Sequence, residues 1–346
     1  MAAGGDPQAS VLSALSALHS PTTSASDRQA ASAWLVAFQA DQSAWQVAHD
    51  LLTQYSNVTE VAAFGAQTLQ RKVVSQLGTL DRGSLPSLRD SLLAHVVSYS
   101  NAELHLVARQ LCLALALLVL RWRGWEAPIQ DCGARFQLRA FHELLRLLAE
   151  EAQKGAGSGS ESAMVMRARV SSWAPIVVQH LGMVARITGG EGAAPPAGAA
   201  ATLARAMAVL AAWARLGSLH LCPPELLQPL LTTAFEVACS AGESSSPWAA
   251  ASEAAAGAAA DILEHPAHGM EHAAAPHMPS LAPAARRAAE AGDLPAAAAV
   301  IQVFVQYCTF SLSSFLRGPV APALREGLVQ LSLLPPIDLF QPLAAP

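Results

Sequence analysis

The segment from residue 43 to residue 77, SAWQVAHDLLTQYSNVTEVAAFGAQTLQRKVVSQL, constrains the fold more than any other part of the chain. It reads as two helices joined by a short turn near residues 54–57. On the first, Trp45, Ala48, Leu51 and Leu52 recur at helical spacing. On the second, Val58, Ala62, Ala66, Leu69, Val73 and Leu77 form one apolar stripe, with Glu60, Gln67, Gln70 and Arg71 off it and Phe64 on another side. A helix pair that is apolar on more than one side cannot bury itself alone. It requires a similar unit on each flank, which is the condition for a helical repeat.

The neighbouring text supplies those flanks. Residues 8–19 predict a short helix, and a second runs from a cap at Ser26 or Asp27 through Trp34, Leu35 and Phe38 to about residue 40. Leu85-Pro86 opens another, with Pro86 suited to a first turn, and Asn101 caps a helix over 102–121. Three pairs thus fit the first ~120 residues, a period near 40 that matches HEAT-type repeats. Residues 125–151 predict a less regular fourth pair. Further helices are expected at 162–187, 201–216, 223–241, 248–264 (dominated by alanine), 294–317 and 321–333. Flexible loops are expected at 154–162 and 189–200.

The predicted class is all-α, a right-handed α-α superhelix of ARM/HEAT repeats with about six to seven helix pairs. Four regions are expected: repeats over 8–150, further repeats over 160–264, a proline/alanine-rich loop over 265–293, and an incomplete terminal repeat with its tail over 294–346. The proline-rich end, LLPPIDLFQPLAAP, is no polar capping helix, so the chain reads as part of a longer array.

Composition narrows the function. The chain is 52% hydrophobic and 14% charged with a net charge of −5, and its only lysines are Lys72 and Lys154. No basic face for nucleic acid is evident. Cys112, Cys132, Cys222, Cys239 and Cys308 are scattered, without CxxC or Cys/His metal spacing, as expected of reduced buried thiols. The first ten residues lack the layout of a signal peptide. The apolar run 111–120 is too short for a membrane span. His265, His268, His272 and His277 lie among proline and glycine breaks, with Glu271 outside an HExxH frame. GEGAAPPAG lacks the Lys-Ser/Thr of a phosphate loop, and no GxSxG elbow occurs. The sequence therefore predicts no catalysis, no cofactor and no metal site.

Several stretches resemble a known family. Arg28, Ala31, Trp34, Leu35, Phe38, Gln39, Ala44 and Trp45, followed by Phe64, Ala66, Gln67, Thr68, Leu69 and Lys72, are similar to the amino-terminal pattern of importin-β-type nuclear transport receptors. Within that family the likeness is to the transportin-SR (transportin three) and importin thirteen subgroup. SLRDSLLAHV at 87–96, AVLAAWARLGSLH at 208–220 and LLTTAFEVA at 230–238 resemble later text of the same subgroup. Gly65 stands where the family has alanine, a mid-helix glycine expected to cost about 1 kcal/mol.

The resemblance implies an armadillo-like HEAT solenoid that binds the GTPase Ran in its GTP form and shuttles between nucleus and cytoplasm. It implies protein transport by nuclear import, with protein cargo, Arg/Ser-rich splicing factors among the candidates, and contacts with nuclear pore proteins. The cargo-holding arginine helix of that subgroup belongs to a carboxy-terminal part that this chain lacks. Second helices of pairs line the family's Ran-facing concave side, so Glu60, Gln67, Gln70, Arg71, Lys72 and Glu103 are the candidate Ran-binding residues, the two glutamates against a basic patch. Trp34, Phe38, Trp45, Phe64 and Leu69 are expected to be structural. The rival reading is a HEAT scaffold that binds other proteins without Ran.

Overall fold

A computed structural model describes residues 6–156, 161–188, 196–243, 245–264, 274–310 and 321–332. They fall into two compact units, residues 1–151 and 152–346. All regular structure among the described residues is helical, and the all-α repeat packing expected from the sequence is present.

The first unit opens with α1 (Pro7–His19), whose amino end is capped by the Asp6 carboxylate accepting from the Gln8 N–H. Ser24, not Ser26 or Asp27, caps α2 (Ala25–Phe38): its hydroxyl accepts from the Asp27 N–H at 3.1 Å. Then follow α3 (Ala44–Gln54), α4 (Thr59–Gln76), α5 (Leu85–Asn101) and α6 (His105–Arg121), with two 3-10 turns between α4 and α5. A short α7 (Pro128–Gly133) precedes α8 (Leu138–Ala156). Helices pair in sequence, α1 with α2, α3 with α4 and α5 with α6, and α4 packs side by side with α6. Second helices thus form one layer and first helices another. Val11, Leu15, Leu35, Phe38, Val47, Leu51, Val61 and Phe64 make the first core cluster.

Phe38, Phe64 and Leu69 are buried. Trp34 and Trp45 are only half-buried. Trp34 stacks on Phe38 at 5.4 Å and Trp45 lies under the Lys72 ammonium, so both act as covers over the core rather than as its centre.

Gly65 has a packing role beside its cost in helix propensity. A Cβ there would stand 3.1 Å from the Ala48 carbonyl oxygen and 3.1 Å from Leu52 Cγ. The glycine lets α4 approach the α3 backbone, so it serves packing rather than merely weakening a helix.

The second unit contains α9 (Glu161–Ser171), α10 (Ala174–Thr188), α11 (Ala199–Arg215), α12 (Pro224–Cys239) and α13 (Ser252–Glu264). Beyond them lie α14 (Met278–Glu290), α15 (Leu294–Phe310) and α16 (Ala321–Ser332). Here too, α11, α13 and α15 form one layer and α10, α12, α14 and α16 the other. The alanine-rich α13 buries Ala255, Ala256, Ala258 and Ala259 completely, and its small side chains let α11 and α15 pack on either side.

Two sequence expectations fail in this unit. The single helix at 162–187 is two helices, broken at Ser172–Trp173. Pro175 explains the break: it cannot donate to a continuing ladder, and it suits the first turn of α10. The proline/alanine-rich loop expected at 265–293 is helical over Met278–Glu290. Pro279 sits in the first turn, where no intrahelical donor is needed, and burial of Met278, Leu281, Ala282, Ala285 and Ala288 outweighs the interruption at Pro283. The remainder of that loop at 265–273, which holds His265, His268 and His272, lies outside the described residues. So do the ends of the expected helices beyond 310 and 332, and the tail.

Candidate functional site

The candidate residues cluster on α4 and on the turn before α6. On α4 the outward positions are Glu60, Ala63, Gln67, Arg71 and Val74, with Gln70 half-buried beside them; helical spacing aligns them as one stripe. The opposite side of α4 buries Val61, Ala62, Phe64, Ala66, Leu69 and Val73. Glu60 stands in the first turn of α4, where a carboxylate also meets the positive end of the helix dipole.

Glu103 is exposed and sits in the left-handed region at φ 58°. It follows the carboxyl end of α5, where the Leu104 N–H donates to the Tyr99 carbonyl at 3.0 Å and the Glu103 N–H to that of Ser100. Such a helix terminus normally carries glycine at this position. A glutamate held there is backbone strain on the candidate face.

The structure separates the basic residues from the rest. Lys72 is fully buried, contrary to its expected place on a surface. Its ammonium donates to the Asp41 carbonyl and, at 2.7 Å, to Gln76 Oε1, and lies 5.9 Å from the Trp45 ring centroid. Burial depresses its pKa, with the nearby Asp41 charge opposing. Arg71 remains exposed but is turned onto the preceding helix pair: its Nη1 donates to Gln39 Oε1 at 2.6 Å. Gln39 donates in turn to Thr68 Oγ1 at 3.1 Å, and Thr68 to the Phe64 carbonyl. Gln39, Thr68, Arg71 and Lys72 thus clamp the α2–α3 turn onto α4. A buried ammonium requires such partners, and Gln39 and Thr68 belong to the same sequence pattern as Lys72.

What is left facing outward is Glu60, Gln67 and Gln70, and the layer extends them. Gln110 on α6 donates to Gln70 at 3.5 Å across a separation of 40 residues, one repeat. Leu106 beside it is 79% exposed. Arg109 Nε on α6 lies 3.1 Å from Glu143 on α8, and Arg146 bridges Glu143 at 2.7 Å and Glu150 at 2.6 Å. Sequence reasoning missed Leu106, Arg109, Gln110, Glu143, Arg146 and Glu150. The signal was the repeat period: adding one repeat to Gln70 gives Gln110.

Chemically, the face presents carboxylates, amides and guanidinium groups in ladders suited to another protein surface. Among the described residues no group of three or more His, Cys, Asp or Glu side chains could hold a metal ion. Cys112 and Cys132 are buried and their thiols are pushed well above the usual range by burial, Cys132 to about 12, so neither is a reactive nucleophile. No helix of the described residues is long and apolar enough to cross a membrane.

Comparison with known proteins gives partial likenesses, and no family model matches the chain. The chain is 34% identical over 113 residues to the mRNA transport regulator MTR10 of Saccharomyces cerevisiae, a match covering 32% of this chain and 11% of the yeast protein. It is 31% identical over 146 residues to an uncharacterized protein of Schizosaccharomyces pombe, covering 41% of the chain and 15% of that protein. It is 30% identical over 100 residues to importin-13 homolog A of Dictyostelium discoideum, covering 28% and 9% respectively. These matches therefore span less than a sixth of the length of each relative. The likenesses to MTR10 and to importin-13 homolog A support the importin superfamily and do not select the transportin-SR subgroup within it.

Proposed function

We propose that this chain is the Ran-binding portion of a nuclear transport receptor, a carrier and not an enzyme, that moves between nucleus and cytoplasm with protein cargo. The observation that carries the reading is the layer of second helices. It turns outward a mainly polar face, interrupted by Ala63, Val74 and Leu106 and built from Glu60, Gln67 and Gln70 on α4, Arg109 and Gln110 on α6, and Glu143 and Arg146 on α8. The strained Glu103 beside the same layer adds to it, because strain retained on an exposed position marks function more often than stability. The partial likeness to an importin and to an mRNA transport regulator points the same way.

In this reading Ran-GTP docks on the face through Glu60, Gln67, Gln70 and Glu103, while Arg71 and Lys72 act from behind by holding α4. Stacked repeats touch only their neighbours, so small rotations add along the stack and couple Ran to cargo held elsewhere, with reciprocal effects on affinity. Cargo of the Arg/Ser-rich splicing-factor type and passage past nuclear pore proteins belong to this proposal as properties of a longer receptor.

The test is a pull-down of the purified chain with Ran loaded with GTP or GDP, at low and moderate salt. Selective capture of the GTP form supports the proposal. Capture of neither form by a helical and monodisperse chain favours a Ran-independent HEAT scaffold, and equal capture of both forms contradicts the GTP-selective docking proposed.

A further inference from the structure

A second site lies at the other end of α4. Leu77, Gly78, Leu80 and Arg82 from the segment joining α4 to α5, Leu85 at the start of α5, Arg121 at the end of α6, and Trp122, Arg123 and Gly124 after it enclose a cleft of about 640 Å³. By helical rise it is roughly 25 Å from Glu60 at the amino end of the 18-residue α4. Its lining carries three guanidinium groups and no carboxylate, in a chain whose net charge is −5.

The three arginines differ in what they already hold. Arg121 is engaged: its Nη1 donates to the carbonyls of Val73 and Val74 at the end of α4. Arg82 and Arg123 are exposed, and neither guanidinium has a hydrogen-bond or ion-pair partner among the described residues. Of the carboxylates near in sequence, Glu126 is exposed and pairs with neither arginine among the described residues, and three others are occupied. Asp81 accepts from the Gly83 N–H, Asp90 pairs with Arg89 at 2.8 Å, and Asp131 accepts from Trp125 Nε1 at 2.7 Å.

The aromatic wall is built rather than incidental. Trp122 is half-buried, with the Arg89 guanidinium 5.9 Å from its ring centroid and 5.7 Å from that of Trp125. Gly124 makes room for it: a Cβ there would stand 2.6 Å from Trp122 Nε1. Along the lining, Leu77, Leu80, Leu85 and Trp122 are interleaved with Arg82, Arg121 and Arg123.

We propose that this cleft binds a peptide segment of a partner protein in which acidic residues alternate with leucine or aromatic residues. Free guanidinium groups supply charge-assisted hydrogen bonds to carboxylates. The leucines and the fixed indole supply an apolar seat that a bare anion would leave unfilled. The site is independent of Ran and of the face that carries Glu60.

The probe is a fluorescein-labelled peptide of about 12 residues with Glu and Asp interleaved with Leu and Phe, titrated by anisotropy against the whole chain in 50 mM salt. The expected result is saturable binding that weakens at least tenfold when Gln and Asn replace the acids. It also weakens at least tenfold in R82E/R123E. Both positions are exposed, so that variant should keep the wild-type circular dichroism. A control of equal charge change, R28E/R139E, should bind as the wild type does, which separates a local site from a net-charge effect. Equal binding of the acidic and amide peptides, or full binding by R82E/R123E, overturns the proposal. So does displacement of the acidic peptide by inositol hexakisphosphate at a lower concentration than by unlabelled peptide, which would make the cleft a phosphate site.

Discussion

Arg109 Nε on α6 stands 3.1 Å from Glu143 on α8, and through Glu143 it joins Arg146 and Glu150 in one ladder on the candidate face. Its side chain is 57% exposed against 24–25% for the other three. Exposed pairs contribute less than half-buried networked ones. Arg109→Ala should therefore change stability by less than about 0.5 kcal/mol. Arg146→Ala removes two partners and a packed stem and should cost roughly 1 kcal/mol. Urea denaturation of the two variants checks the order, and equal costs would mean that the ladder is not built as described.

Gly65→Ala tests the close approach of α3 and α4. Helix propensity alone predicts a gain of about 1 kcal/mol. The added methyl would press on the Ala48 carbonyl and on Leu52, which must shift by a few tenths of an ångström to admit it, so the variant should gain nothing or lose about 1 kcal/mol. A thermal midpoint above that of the wild type would show that the two helices can separate freely.

Acid should loosen the α3–α5 contact. His95 Nε2 lies 3.1 Å from His49 Nδ1, which in turn lies 2.8 Å from Ser91 Oγ. Burial, and then the His49 charge, lower the His95 pKa from 6.5 to about 4. The unfolded chain takes up a proton near pH 6.5 while the folded one does not, so stability falls as pH drops from about 6.5 to about 4. At the end of that window the loss is roughly 3 kcal/mol from this group. His95→Phe should flatten this dependence relative to the wild type, and denaturation midpoints at pH 7, 5.5 and 4.5 measure it.

Glu103→Gly separates stability from binding. Relief of the left-handed strain, less the extra entropy of an unfolded glycine, should stabilise the chain by roughly 0.5–1 kcal/mol. With Ran-GTP docked on this face, the same change weakens its capture, because it removes a face carboxylate. A variant that is more stable and binds equally well would remove Glu103 from the face.

Much of this was legible in the sequence, and the failures have physical causes. The stripes on α3 and α4 pointed to paired helices, because both flanks of the pair are apolar and only stacking satisfies them. The direction of Lys72 was not legible. A charged residue off an apolar stripe reads as solvent-facing, and its carbonyl partner on Asp41 becomes neighbour only when the α2–α3 turn folds onto α4. The helix at 278–290 was hidden by Pro279 and Pro283, whose breaker character is local, while the burial that overrides it is tertiary. Arg109 and Glu143 were passed over because each lies in strongly helical text, where charges look like a solvated face until a neighbouring helix is placed beside them.

The most direct test of the docking face is an equilibrium titration of Ran bound to a non-hydrolysable GTP analogue. It compares the wild-type chain, a face variant carrying E60K and Q67K, and R28E on the exposed side of α2, at matched circular dichroism. Docking on this face predicts binding by the wild type and by R28E, at least tenfold weaker binding by the face variant, and no comparable binding of the GDP form. Equal affinity of the face variant and the wild type, or indifference to the bound nucleotide, would contradict it.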